Sequence, residues 1–262
     1  EKTGAPEVIR TPDPRIRNPV LYPTELRARG GLLSSGRRLR QVAGGVLVAS
    51  ALAVGSAWAQ VQRTDSGDWL VDGRDAVLVD VVAPHPETLT LPDGARVAAE
   101  RGCDRWGRRR GELADAAGDR LAERWVAEGL ALIDPDAGDE AAARLLPLEA
   151  QARAARRGVW REQRWRVQAA AGVRGSTGDL VLVEGSVVAV GWGGDRLYLN
   201  FGDDRRQDFT ARIERGDVRK LARSGMALEE LAGRRVRLRG WLFYLGGPMI
   251  ELSGLAQIEV LP

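Results

Sequence analysis

The sequence predicts an α+β protein, mostly β, built from two small units, and three observations carry that expectation. Short β-branched runs bounded by Gly, Pro and Asp recur through residues 76–97 and again through 181–252. Between them, residues 118–158 hold apolar positions at helical rather than alternating spacing. A Gly-rich stretch from Ala169 to Gly178, with Gly172, Gly175 and Gly178, reads as a linker.

Composition narrows the classes. The chain has 262 residues, 44% hydrophobic and 29% charged, which is too apolar for a disordered chain. One Cys excludes a disulfide framework, and one Cys with one His excludes a His/Cys zinc cluster. The formal charge of +3 comes from 39 Lys+Arg against 36 Asp+Glu. Residues 1–59 hold 9 and 4 of these, which leaves 30 and 32 for residues 60–262, a net of −2. The basicity therefore lies at the front.

That front reads as an address. Arg37, Arg38 and Arg40 precede an uncharged run, Val42 to Ser56, and then Ala57-Trp58-Ala59. A basic segment, an apolar run of about 15 residues and an A-x-A site describe a secretory signal peptide over 32–59, and the run is shorter than the roughly 20 residues of a spanning helix. The expected location is periplasmic or secreted, with no stable membrane span after cleavage. Residues 1–31 carry five prolines and no period. They resemble peptides translated by mistake from structural RNA genes and are expected to be a spurious or disordered extension.

In the unit spanning 60–168, Ala76 to Val82 reads as a strand. Thr88 to Leu91 and Ala95 to Val97 read as a hairpin turning at Asp93-Gly94. Gly118 to Ile133 places Leu121, Trp125, Val126, Leu130 and Ile133 near helical spacing. Asp139 is suited to cap a second helix that Gly158 ends, with Arg153, Arg156 and Arg157 near its C-terminus, where cations suit the dipole. Residues 169–179 are the linker. In the unit spanning 180–262, strands are expected at 181–190, 196–201 and 208–213, helical material at 217–231, and strands at 234–244 and 249–252. Three strands, a helix and two strands is the element order of an OB-fold.

The segment Cys103-Asp104-Arg105-Trp106-Gly107-Arg108 resembles the Asp-[Lys/Arg]-aromatic-Gly-Arg motif of the staphylococcal nuclease (thermonuclease) family. Trp125-Val126-Ala127-Glu128-Gly129-Leu130-Ala131 and the stretch from Leu148 to Trp160 are similar to that family's two later helix ends. The resemblance covers roughly 103–161. It implies an OB-like nuclease-type barrel with C-terminal helices, followed by a second small OB-fold-like barrel. It also implies calcium-dependent hydrolysis of DNA and RNA phosphodiesters. Such chemistry needs carboxylates for the cation, a Glu to activate water and two arginines for the developing phosphate charge.

The expected residues are mostly replaced. Arg108 holds the motif's phosphate-contacting position, although it also belongs to the run Arg108-Arg109-Arg110. Asp68 is the nearest match to the early calcium motif, as either a ligand or a turn residue. Ala83-Pro84 aligns with the centre of the next motif, putting Val82 at the Asp, His85 at the Glu and Val77 at the strand Arg. Asp80 could supply a ligand only with a shifted register, and Glu87 falls two residues late. Pro84 to Cys103 leaves 18 residues, too few for the family's first helix and two strands.

In the second unit, alternation puts Arg235, Arg237, Arg239, Trp241 and Phe243 on one strand face. A basic row ending in aromatics suits a single-stranded nucleic-acid groove, and equally the wet face of a small barrel. Cys103 is expected to be a buried, inert thiol. The reading is an exported thermonuclease-like protein with a largely lost catalytic site. It would bind single-stranded nucleic acid or an envelope protein and need no cofactor. The alternative is an active Ca2+-dependent phosphodiesterase.

Overall fold

The computed structural model describes residues 61–63, 69–71, 74–105, 107–204 and 206–262. The expected signal and extension, Asp68, Trp106 and Arg205 lie outside the described residues. The architecture is α+β with mostly strands, arranged in several mixed sheets with three α-helices among the described residues.

The first half comprises β1 (Val61–Arg63), β2 (Trp69–Val71), β3 (Arg74–Leu78), β4 (Val81–Val82), β5 (Arg96–Cys103), β6 (Arg109–Ala114), α1 (Leu121–Glu128), β7 (Leu132–Ile133) and α2 (Asp139–Ala154). The main sheet runs β1-β2-β3-β6-β5, with β3 parallel to β6 and every other pair antiparallel, while β4 pairs with β7. The expected strand 76–82 is broken because Asp80 takes φ +67°, a left-handed conformation that a strand cannot hold. The expected hairpin at Asp93-Gly94 keeps its turn, closed by Ala95 N–H donating to the Pro92 carbonyl at 3.1 Å, and its second strand, since Arg96 and Val97 open β5, but residues 88–91 form no strand. Thr88 closes a 3-10 turn, and Leu89 is instead a buried loop anchor. β5 finds its partner in β6, since the tight turn after Cys103 brings those two together first.

Helix α1 buries Leu121, Ala122, Trp125 and Val126, and Trp125 packs on Trp69 with ring centroids 5.9 Å apart. It ends sooner than its apolar pattern suggests. Gly129 turns left-handed and Leu130 N–H reaches back to the Trp125 carbonyl at 2.7 Å, so Leu132 and Ile133 join a strand. Helix α2 starts at Asp139 with Gly138 as its cap residue, and buries Ala141, Ala142, Leu145, Glu149 and Ala152 along one face.

The second half comprises β8 (Gln168–Ala169), β9 (Leu180–Ser186), β10 (Ala189–Gly193), β11 (Arg196–Asn200), β12 (Thr210–Glu214), α3 (Arg215–Arg223), β13 (Arg235–Trp241), β14 (Phe243–Leu245), β15 (Gly247–Leu252) and β16 (Ile258–Val260). Two sheets form, β10-β11-β12-β15-β14 and β16-β13-β9-β8, and no single ladder among the described residues closes on itself. Here too the third strand, β12, lies parallel to the last of its set, β15. β8 pairs with β9, and Ala170 lies in the core, so the expected linker begins as attached structure.

Three apolar clusters result. One gathers Trp69, Leu113, Leu121, Trp125 and Leu145, and another Leu197, Leu199, Phe209, Ile213, Leu238 and Ile250. The third mixes Leu132, Ala152, Val159, Trp160 and Trp165 with Leu180 and Leu182, so both halves contribute to it. Each fully buried large side chain adds roughly 1.5–3 kcal/mol. No helix among the described residues is long and apolar enough to cross a membrane.

Candidate functional site

The β5–β6 hairpin positions the motif arginine. Gly107 takes φ +78° and donates its N–H to the Asp104 carbonyl at 3.0 Å. Asp104 then accepts from Arg108 twice, from its backbone N–H at 2.9 Å and from its Nε at 2.7 Å. The motif's spacing is thus that of a turn in which Asp clamps the Arg and Gly supplies the left-handed residue.

The carboxylates collect elsewhere. Glu112, buried on β6, accepts from Arg101 Nη2 of β5 at 2.6 Å. It also lies 3.0 Å from Arg120 Nη1, just before α1, and 3.5 Å from Arg144 Nη2 of α2. Asp80, buried at the end of β3, accepts the Gly138 N–H at 3.2 Å and lies 3.5 Å from Arg101 Nη2. Burial alone would raise the Glu112 carboxyl, but the Arg101 hydrogen bond and the charges of Arg120 and Arg144 outweigh it and hold it below the ordinary range. Asp80 goes the other way: burial raises it, the Gly138 N–H and Arg101 only partly offset that, and the Glu112 charge adds to the rise. The pair therefore consists of an ionised Glu112 and an Asp80 that holds its proton more tightly than usual.

Arg144 also meets Glu123 at 2.6 Å, and Glu140 lies 3.7 Å from Arg120, so the three guanidiniums are spent on ion pairs with four carboxylates. Among the described residues, no group of three or more His, Cys, Asp or Glu side chains converges in a way suited to a metal ion. Arg108 immediately precedes β6, four residues before Glu112 and about 13 Å from it at roughly 3.3 Å per residue, and its guanidinium is turned to Asp104 instead of the cluster. Val77 pairs with Arg110 in register and Val82 with Leu132. His85 Nε2 lies 2.9 Å from Glu162 Oε1 and His85 Nδ1 is 3.6 Å from Glu87, so His85 ties its loop to the segment after α2. Cys103 is exposed at the end of β5, against the expectation of burial, because the last residues of that strand overhang the core.

Asp134 follows β7. Burial pushes its carboxyl up to about 6; the Asp136 N–H, accepted at 2.8 Å, pulls against that, while the charges of Asp136 and Asp80 push with it. An acid whose native pKa is raised keeps a proton that the unfolded chain has released, so its effect on stability is most favourable below about pH 4 and is lost as pH rises through 6. Asp134→Asn keeps the acceptor for the Asp136 N–H. It is expected to match the parent in urea midpoint near pH 4 and to exceed it above about pH 7. Equal midpoints at both pH values would contradict the assignment.

The arginine row of β13 is fully engaged in ion pairs. Arg235 pairs with Glu184, and Arg237 reaches Glu184 at 2.9 Å and Glu259 at 3.1 Å. Arg239 is 2% exposed and meets Glu149, 0% exposed, at 2.5 Å, with Glu259 at 3.3 Å. Trp241 is half-buried against the shared apolar cluster, and Phe243 carries the Arg212 guanidinium 4.5 Å above its ring. The partners missed by sequence reading had signals. Glu184 and Glu259 sit directly opposite Arg237 on the two neighbouring strands, and Glu149 lies on the apolar face of α2, four residues after Leu145.

No family model matches the sequence, and no curated protein matches it significantly.

Proposed function

We propose that this chain is an exported thermonuclease-like protein in which two OB-like barrels, 60–168 and 180–262 joined through 169–179, bind single-stranded nucleic acid without hydrolysing it. Support for the barrels is their shared strand logic. Both main sheets pair in the order first, second, third, fifth, fourth, with the third parallel to the fifth. In the second half β9 leads into β10 and β13 into β14, while β13 pairs with β9, which brings the two sheets round to one another. The hairpin tip at Asp104–Arg108 adds support for the family, and the basic, apolar and A-x-A segments of 32–59 for export.

One observation carries the non-hydrolytic reading: the buried carboxylates nearest the expected site, Asp80 and Glu112, are held by Arg101, Arg120 and Arg144 instead of facing open space with Arg108. A missing general base costs about 10²–10⁴ in rate, and missing phosphate clamps add to that. Incubating single-stranded DNA with the protein in Ca2+ or in EDTA tests the reading.

A further inference from the structure

Beyond α2 the chain turns into a strongly basic stretch, with six arginines and a single glutamate over residues 153–166. That stretch, with Val167, walls an open groove of about 300 Å3 lined by Arg153, Arg156, Trp160, Trp165, Arg166 and Val167. Its donors are in excess. Arg157 and Arg161 spend theirs on the Ala127 and Arg156 carbonyls, and Arg164 on Asp179 at 2.9 Å. The exposed Arg156 and Arg166 have no side-chain partner among the described residues. Arg153 stands 3.6 Å from Glu259 and 5.6 Å from the Trp160 ring centre, and its Nη1 is buried with no acceptor among the described residues. The indole N–H groups of Trp160 and Trp165, residues 5% and 8% exposed, are buried behind the groove wall. The donors that reach the groove are the guanidiniums of the exposed Arg156 and Arg166, and a ligand that brings only acceptors, an oxyanion, suits them.

The backbone adds weight. Helix α2 ends with Arg157 N–H donating to the Ala152 carbonyl at 2.9 Å, which places Arg156 at the left-handed residue of the turn with φ +52°. Glycine is the usual occupant there, and a side chain costs roughly 1–2 kcal/mol. An arginine kept at that cost, facing a groove, is a functional signature.

We propose that this groove holds the phosphodiester backbone of single-stranded nucleic acid, with Arg156 and Arg166 contacting phosphates and Arg153 behind them. The tryptophans are too buried to offer ring faces to bases or sugars, and the groove has no exposed apolar rim with which to enter a bilayer. A charged backbone is what remains. The site rests on the reading that the chain binds rather than cuts nucleic acid, and it lies off the β13 row, whose arginines are already paired.

The test is fluorescence anisotropy of a labelled single-stranded oligonucleotide with the full chain in EDTA, across a salt series. The double variant Arg156→Gly/Arg166→Gln is compared with Arg235→Gln as a control from the β13 row. Arg156→Gly relieves the left-handed strain, so the double variant is expected to melt no lower than the parent. Losing two phosphate contacts should flatten the slope of log affinity against log salt by about 1.4, while Arg235→Gln leaves it unchanged. Inorganic phosphate should compete with the oligonucleotide on the parent. An unchanged slope in the double variant overturns the groove and leaves the non-hydrolytic reading standing. Cleavage of the oligonucleotide when Ca2+ is added overturns that reading, while the salt slope in EDTA still decides the groove. Binding to phosphatidylglycerol vesicles but not to the oligonucleotide overturns the nucleic-acid assignment.

Discussion

Glu149→Ala is expected to destabilise the protein by about 3 kcal/mol, among the largest losses a single truncation produces, because it strands a buried charge. Arg239 is 2% exposed, its Nη2 meets Glu149 at 2.5 Å, and only Glu259 at 3.3 Å would remain to it. Arg239 Nη1 has no hydrogen-bond partner among the described residues, so the guanidinium has no second acceptor there to fall back on. Replacing both partners removes the problem. Glu149→Leu with Arg239→Met should lie within about 1 kcal/mol of the parent, or above it, since apolar groups of similar volume avoid the desolvation of both ions. Urea midpoints of the three proteins measure the difference, and a double variant as unstable as Glu149→Ala would show that the pair stabilises through more than mutual neutralisation.

Gly158→Ala and Gly129→Ala are expected to cost more than an ordinary glycine substitution, roughly 2–5 kcal/mol each, from left-handed strain and backbone overlap together. Gly129 ends α1 at φ +73°, and Gly158 follows α2 at φ +48°. Their backbones touch, with Val159 N–H donating to the Gly129 carbonyl at 2.9 Å. A Cβ on Gly158 would overlap the Gly129 carbonyl, and one on Gly129 the Arg157 carbonyl, where no flexible side chain can give way. Gly233 is the control. It has φ +77° and open space around it, so Gly233→Ala should cost only the strain, about 1–2 kcal/mol. Equal losses in thermal melts at all three positions would mean that the close approach of the two helix ends contributes nothing.

Gly158 was legible in the sequence as punctuation, because a helix pattern followed by Gly carries a local signal, whereas the apolar spacing ran on through Gly129 to Ile133 and hid the earlier stop. The same locality explains the match at β11 and at the starts of β9, whose run Leu180 to Val183 is buried throughout, and β13, although the expected strands 181–190 and 234–244 each break in two. What stayed hidden depends on residues far apart in the chain. The β13 arginines look like an open basic track until Glu184, 53 residues earlier, and Glu149 in α2 are brought against them. The break at Asp80 is likewise invisible in a β-branched run, since it is imposed by Gly138 and Arg101 from other elements. The Asp104–Arg108 clamp was readable as a motif, but its distance from the buried carboxylates was not.

That separation defines what the protein is expected to do. Under the proposed reading Arg108 holds a phosphate of the backbone, while cutting it would also require water activation and charge neutralisation, for which no cluster of carboxylates converges among the described residues. A nearby pair of carboxylates already neutralised by three guanidiniums serves to fasten β6 to β5, α1 and α2. The most direct measurement is the length of a single-stranded DNA oligonucleotide after prolonged incubation with the full chain in Ca2+ and in EDTA. The account predicts full-length DNA under both conditions. Calcium-dependent shortening that Arg108→Ala abolishes would contradict it.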